Sequence, residues 1–176
     1  FNRPDPASFT LGQSTEQEIR QRFGQPSGQA TGQVGDQTVL VLQYTHIETV
    51  GDLVAARAMV YTFNGGRLVG FDYSSSFAAD RTTFDEAAAK QIKRGQTTRA
   101  ETLRLLGAPT GQFIYPSAYA PVPGRRADVY SYTRTERTSA GATLDQVSRV
   151  LPLVFDERGV VVETSLVTTS TARPLQ

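Results

Sequence analysis

The sequence predicts an α+β fold: two tandem repeats, each packing short helices on a three-stranded antiparallel sheet. Three observations predict it. The block Phe9–Gly28 (FTLGQSTEQEIRQRFGQPSG) returns as Ile92–Gly111 (IKRGQTTRAETLRLLGAPTG), offset by 83 residues. Seven of the twenty positions are identical, where ordinary residue frequencies would give about one or two. Each block carries helix start and stop signals, and each is followed by short runs rich in β-branched and aromatic residues.

The identities are Gly12/Gly95, Gln13/Gln96, Thr15/Thr98, Glu18/Glu101, Gly24/Gly107, Pro26/Pro109 and Gly28/Gly111. Thr15-Glu-Gln-Glu18 and Thr98-Arg-Ala-Glu101 are capping boxes, in which the hydroxyl accepts from the amide three residues on and the glutamate reaches back. Ile19 and Phe23 in one copy, and Leu103 and Leu106 in the other, follow at helical spacing. Gly24 and Gly107 suit a left-handed C-terminal cap, and Pro26 and Pro109 forbid continuation. The expected helices are Thr15–Phe23 and Thr98–Leu106. Helices this short are unstable alone and must lie on a sheet.

In chain order, residues 1–8 read as a leader, 9–77 as repeat 1, 78–170 as repeat 2 and 171–176 as a tail. In repeat 1 the Gly-rich, polar stretch Gln29–Gln37 reads as a loop. Thr38–His46, Ala58–Phe63 and Arg67–Ser74 read as strands, the last two joined by Asn64-Gly65-Gly66, where Asn-Gly tolerates positive φ. Repeat 2 opens with a helix expected over Thr83–Ile92, forming an αα-hairpin with the Thr98 helix; repeat 1 lacks room for this first helix. Asp128–Thr133, Val150–Phe155 and Gly159–Thr169 are the matching strands, with Tyr132 set against Tyr44 and Phe155 against Phe63. Gln112–Ala127 and Glu136–Arg149 read as loops that absorb the insertions.

Composition narrows the function classes. Eighteen Lys plus Arg balance seventeen Asp plus Glu, which gives no electrostatic case for nucleic acid or an anionic membrane. Without cysteine there is no disulfide, thiolate nucleophile or thiolate metal site. No apolar run is long enough to span a bilayer. His46, the one histidine, stands at a strand end without a carboxylate cluster. Ser74-Ser75-Ser76 lacks a nucleophile elbow. Asp72, Asp80, Asp85 and Glu86 form only a loose acidic group, and Asn64-Gly65-Gly66 joins strands rather than opening a helix, so it is no phosphate cradle. Neither catalysis nor a cofactor is expected.

Binding is the better reading. Gln112–Ala127 (QFIYPSAYAPVPGRRA) places Tyr115, Tyr119, Arg125 and Arg126 on a proline-stiffened loop, the residue types that anchor interfaces at low ordering cost. Phe71 and Tyr73 share a face, while their counterparts at an offset of 92 are Glu163 and Ser165. They read either as an exposed aromatic patch or as the seam between the repeats.

An αα-hairpin ending in Gly-x-Thr-x-x-Glu, a helix closing in Leu-Gly-x-Pro, then an aromatic-bearing strand and a strand ending in Phe resembles the BamE (SmpA/OmlA) domain. Gly95, Thr98, Leu106, Gly107, Pro109, Tyr132 and Phe155 carry the resemblance, with Gly12, Phe23, Gly24, Pro26, Tyr44 and Phe63 in the first copy. Gln13 and Gln96 stand where that family usually has methionine. The resemblance implies a non-catalytic bacterial lipoprotein on the periplasmic face of the outer membrane, docking envelope proteins and touching the membrane only through a lipid anchor upstream of Phe1. A tandem of such units is also similar to the β-lactamase inhibitory proteins, which implies a secreted enzyme inhibitor as the alternative. A small-ligand carrier with a pocket between the repeats is the remaining one.

Overall fold

The computed structural model describes residues 5, 8–50, 53–80, 82–137 and 143–174. Helix α1 (Glu16–Phe23) is followed by four strands, β1 (Gly28–Val34), β2 (Gln37–Val50), β3 (Leu53–Asn64) and β4 (Arg67–Ser75). A 3-10 turn at Ala78–Asp80 leads to α2 (Glu86–Ala89) and α3 (Arg99–Leu106). Then come β5 (Gly111–Ile114), β6 (Arg126–Arg137), β7 (Thr143–Phe155), β8 (Val161–Thr164) and β9 (Val167–Pro174). All nine strands form one antiparallel sheet in the order β1 to β8, with β9 continuing along the same edge of β7 as β8.

The expected fold class is overturned. The molecule is dominated by this nine-stranded sheet with three short α-helices among the described residues, not by helices packed on a three-stranded sheet in each repeat. Each repeat has a further strand: β1 occupies most of the expected loop Gln29–Gln37, and β5 the start of the expected loop Gln112–Ala127. Most of the expected loop Glu136–Arg149 is also strand, while residues 138–142 lie outside the described residues. The expected strand Gly159–Thr169 is two strands, β8 and β9. The helix expected over Thr83–Ile92 is a single turn whose N-cap is Asp85, its carboxylate accepting from the amides of Ala87 and Ala88.

Both capping boxes form, with the threonine amides donating to Glu18 and Glu101 at 2.6 and 2.7 Å. The duplication extends beyond the helices. Gly12 N donates to Leu68 O, and Gly95 N to Val161 O, both at 2.7 Å. A register shift interrupts β3–β4 at Thr62/Phe63 and β7–β8 at Val154/Phe155. The Tyr44 hydroxyl donates to Gly24 O at 3.1 Å, and the Tyr130 hydroxyl to Gly107 O at 3.0 Å. The counterpart of Tyr44 is therefore Tyr130 and not Tyr132.

The helices cover one face of the sheet. Ile19 of α1 packs with Leu42, Tyr44, Met59, Tyr61, Phe63, Leu68, Phe71 and Tyr73. In repeat 2, Phe84, Ala89, Ile92 and Leu106 pack against Tyr130, Tyr132, Leu151, Leu153, Phe155 and Val161. The period-2 alternation of the strands puts these residues on one side and sends their neighbours to the other. The repeats join where β4 pairs with β5, Gly70 opposite Phe113 and Phe71 opposite Gln112.

A candidate binding surface on the helix-free face

Register carries one row of side chains across eight strands on the side away from the helices: Ala30, Val41, Thr62, Gly70, Phe113, Ala127, Val154 and Glu163. The next row holds Gly28, Gln43, Val60, Asp72, Gly111, Val129 and Pro152. Asp72 and Glu163 are the charged members of these rows. A sheet face left to water ordinarily alternates in long charged side chains; the repeat 1 part of this one carries mainly small, β-branched and hydroxyl-bearing residues, with Gln43 and Asp72 among them. Val41, Thr45, Ala58, Val60, Asp72 and Ser74 are half-buried, and Ile47 is 63% exposed.

The loop 115–125 lies over the repeat 2 part of this face. In repeat 1 the equivalent hairpin closes in the two-residue turn Gly35-Asp36. In repeat 2 the chain leaves the ladder after Ile114 through a cis Tyr115–Pro116 peptide. The Tyr119 ring settles on Phe113, centroids 4.8 Å apart, above a cluster of Phe113, Ala127, Val129 and Val154. Ser117 and Ala120 are fully buried and exchange backbone hydrogen bonds. The crest of the loop, Ala118 and Pro121 to Gly124, is exposed.

The six binding residues read from sequence do not converge. Phe71 and Tyr73 are 2% and 1% exposed in the helix-side core at the seam strand β4, so neither offers surface to a partner. Burial first, then the bond to Asp80, pushes the Tyr73 phenol up to about 12. Tyr119 is half-buried on the helix-free face, where burial and then the Asp72 carboxylate raise its pKa. Tyr115, Arg125 and Arg126 are half-buried. Arg126 opens β6 on the opposite, helix side, opposite Ile114 and Phe155. Burial, then the neighbouring Arg99, lowers its pKa. Its Nε and Arg125 Nη1 are buried without a hydrogen-bond partner among the described residues.

A buried ion pair was not read from the sequence. Asp128 is fully buried on the helix side and held by Arg99 of α3 at 2.7 and 3.2 Å. Its burial raises the carboxyl pKa against the pull of Arg99. Aligning Tyr44 with Tyr130 places Asp128 where repeat 1 has Leu42, itself fully buried. The usable signal is a lone aspartate in alternation with Tyr130 and Tyr132 on one strand face.

Nothing among the described residues groups three or more His, Cys, Asp or Glu side chains as a metal ion would need. A recess of about 590 Å³ lies along α1, lined by Thr15, Glu16, Arg20 and Gly66. Another of about 310 Å³ lies between the loop and β7–β8, lined by Tyr119, Pro121, Val154 and Glu163. Neither sits between the repeats. Among the described residues, no helix is long and apolar enough to cross a membrane.

No family model matches the chain, and no curated protein matches it. One solved structure is similar: a candidate beta-lactamase inhibitor protein from Streptococcus mutans, 12% identical, covering 88% of this chain and 82% of that one with a TM-score of 0.48. The resemblance to the BamE family therefore finds no support, and nothing in these comparisons speaks for a lipoprotein or an outer-membrane protein. About half of the motif behind that resemblance is helix caps and turn glycines, which short helices packed on a sheet commonly share.

Proposed function

We propose that this chain is a protein-binding module that engages a folded partner with the helix-free face of its sheet, in the manner of a secreted enzyme inhibitor. The observation that supports the reading is the make-up of that face. The charged members of the two rows that span the sheet are Asp72 and Glu163; Phe113, Ala127, Val129 and Val154 are buried beneath the loop, and Gly28, Ala30, Val41, Gln43 and Val60 of repeat 1 stay accessible with no helix over them among the described residues. Depletion of charge at the centre with a polar rim is the composition of a protein interface. The loop 115–125 adds an exposed crest of Pro121, Val122 and Pro123 beside that face, pinned by the Tyr119–Phe113 contact. A pinned loop loses little conformational entropy when it is captured.

β-Lactamases are the first enzymes to test, being the enzymes that the name of the similar Streptococcus mutans chain mentions. Hydrolysis of a chromogenic substrate is followed while this protein is titrated into a panel of such enzymes. The expected result is saturable inhibition of at least one enzyme, weakened about tenfold or more by Val60→Arg or Ser74→Arg. Gln21→Arg on the exposed side of α1 leaves it unchanged. Absence of inhibition and of binding across the panel overturns the inhibitor reading, as does equal loss from the α1 variant.

A further inference from the structure

The two edges of the sheet differ in kind. Along the β8–β9 edge the strand is broken at Ser165-Leu166 and carries Glu163, Arg173 and Pro174. Breaks, charges and proline are the devices that keep an edge from pairing with another chain. The β1 edge has none of them. Gly28–Val34 (GQATGQV) runs seven residues in unbroken register with β2, without a charge or a proline, and most of it is exposed.

We infer that β1 pairs antiparallel with β1 of a second copy of this chain, centred on Thr31, joining two sheets into one across a two-fold axis. The backbone sets the phase. Val34 and Gln37 flank the two-residue Gly35-Asp36 turn and so form a hydrogen-bonded pair of the β1–β2 ladder. Alternation then turns the N–H and C=O groups of Gln33, Thr31 and Gln29 outward, away from β2. A two-fold through Thr31 places Thr31 opposite its own copy and Gln29 opposite Gln33, which are the positions whose groups point out. Ala30 falls opposite Gly32, so small residues meet on the helix-free side.

The side chains are complementary as well. Gln29 Oε1 accepts from Arg20 Nη2 at 3.1 Å, which leaves its amide nitrogen to donate. Gln33 Nε2 donates to Thr38 Oγ1 at 2.9 Å, which leaves its amide oxygen to accept. Gln29 of one copy therefore donates to Gln33 of the other, twice by symmetry. No like charges oppose each other along β1 in this register. The Gln-x-Thr-x-Gln spacing of β1 matches itself in this register.

Sedimentation equilibrium on the whole chain tests this, from about 1 µM to about 1 mM, the range in which a short strand interface associates. The expected result is a monomer–dimer equilibrium. Thr31→Pro should abolish it, since the Thr31 N–H faces away from β2 and proline is tolerated at such edge positions. Unchanged circular dichroism and melting temperature confirm that the variant folds, and Thr31→Lys serves if it does not. Because the chain has no cysteine, Thr31→Cys gives a single thiol whose copy lies about 5.5 Å away between Cα atoms, within disulfide reach. It should oxidise to a covalent dimer, and Ala30→Cys, which faces Gly32, should not. A monomer at every concentration, a dimer that survives Thr31→Pro and Thr31→Lys, or equal cross-linking at residue 30 overturns the inference.

Discussion

Gly70 of β4 and Phe113 of β5 are opposed across the strand pair that joins the repeats, and the Phe113 ring occupies the space a side chain at residue 70 would fill. The ring can lie flat on the seam only because its partner has no Cβ. Gly70→Ala should therefore cost about 1–3 kcal/mol, the range for overpacking a formed core. Urea unfolding measures it, and in a double-mutant cycle with Phe113→Ala the cost of the added methyl should disappear.

Arg99 and Asp128 make the second testable pair. Removing the arginine leaves a fully buried carboxylate with its chief partner gone, so Arg99→Ala should destabilise by about 3–5 kcal/mol. Repeat 1 has leucine at the equivalent place. Adding Asp128→Leu to Arg99→Ala should recover most of that loss, again read by urea unfolding.

Asp80 ties the segment after β4 back to repeat 1. Burial opposes its ionisation, but donors from Arg57, Ser75 and Tyr73 outweigh burial and hold its pKa at about 2, below the usual 3.8. A depressed carboxylate pKa stabilises the fold above the unfolded value, and that stability is lost as pH falls through about 2. The contribution is about 2 kcal/mol. The stability difference between wild type and Asp80→Asn should shrink by this amount between pH 5 and pH 2, as followed by thermal unfolding.

Tyr119 and Val122 separate the two roles of the loop. The Tyr119 ring packs on Phe113, whereas Val122 is 52% exposed. Tyr119→Ala should lower stability by about 2–4 kcal/mol, and Val122→Ala should stay within about 0.5 kcal/mol of wild type. Equal effects would show that the crest is also packed.

The sequence by itself determined the two capped helices. Their stops, the glycines at 24 and 107, and the repeat that contains them were equally legible. Each of these rests on hydrogen bonds between residues a few positions apart, so the residue pattern and the geometry are the same information. Strands β2, β3, β4, the first half of β6 and the later half of β7 were legible for a related reason: alternate apolar residues mark a strand with one face buried.

Only the tertiary structure decided the rest. GQATGQV and GQFI have no sustained alternation and become strands because a neighbouring edge supplies their hydrogen bonds. That added strand joins the two repeats in one sheet and makes β4 the seam, while Phe71 and Tyr73 on its helix side are buried against Phe9 and the Asp80 turn. The same pairing sends Phe113 to the helix-free side, where Tyr119 covers it. Asp128 lies in the core because Arg99, twenty-nine residues earlier, arrives over it from α3. Long-range register, which no local pattern encodes, chose these outcomes.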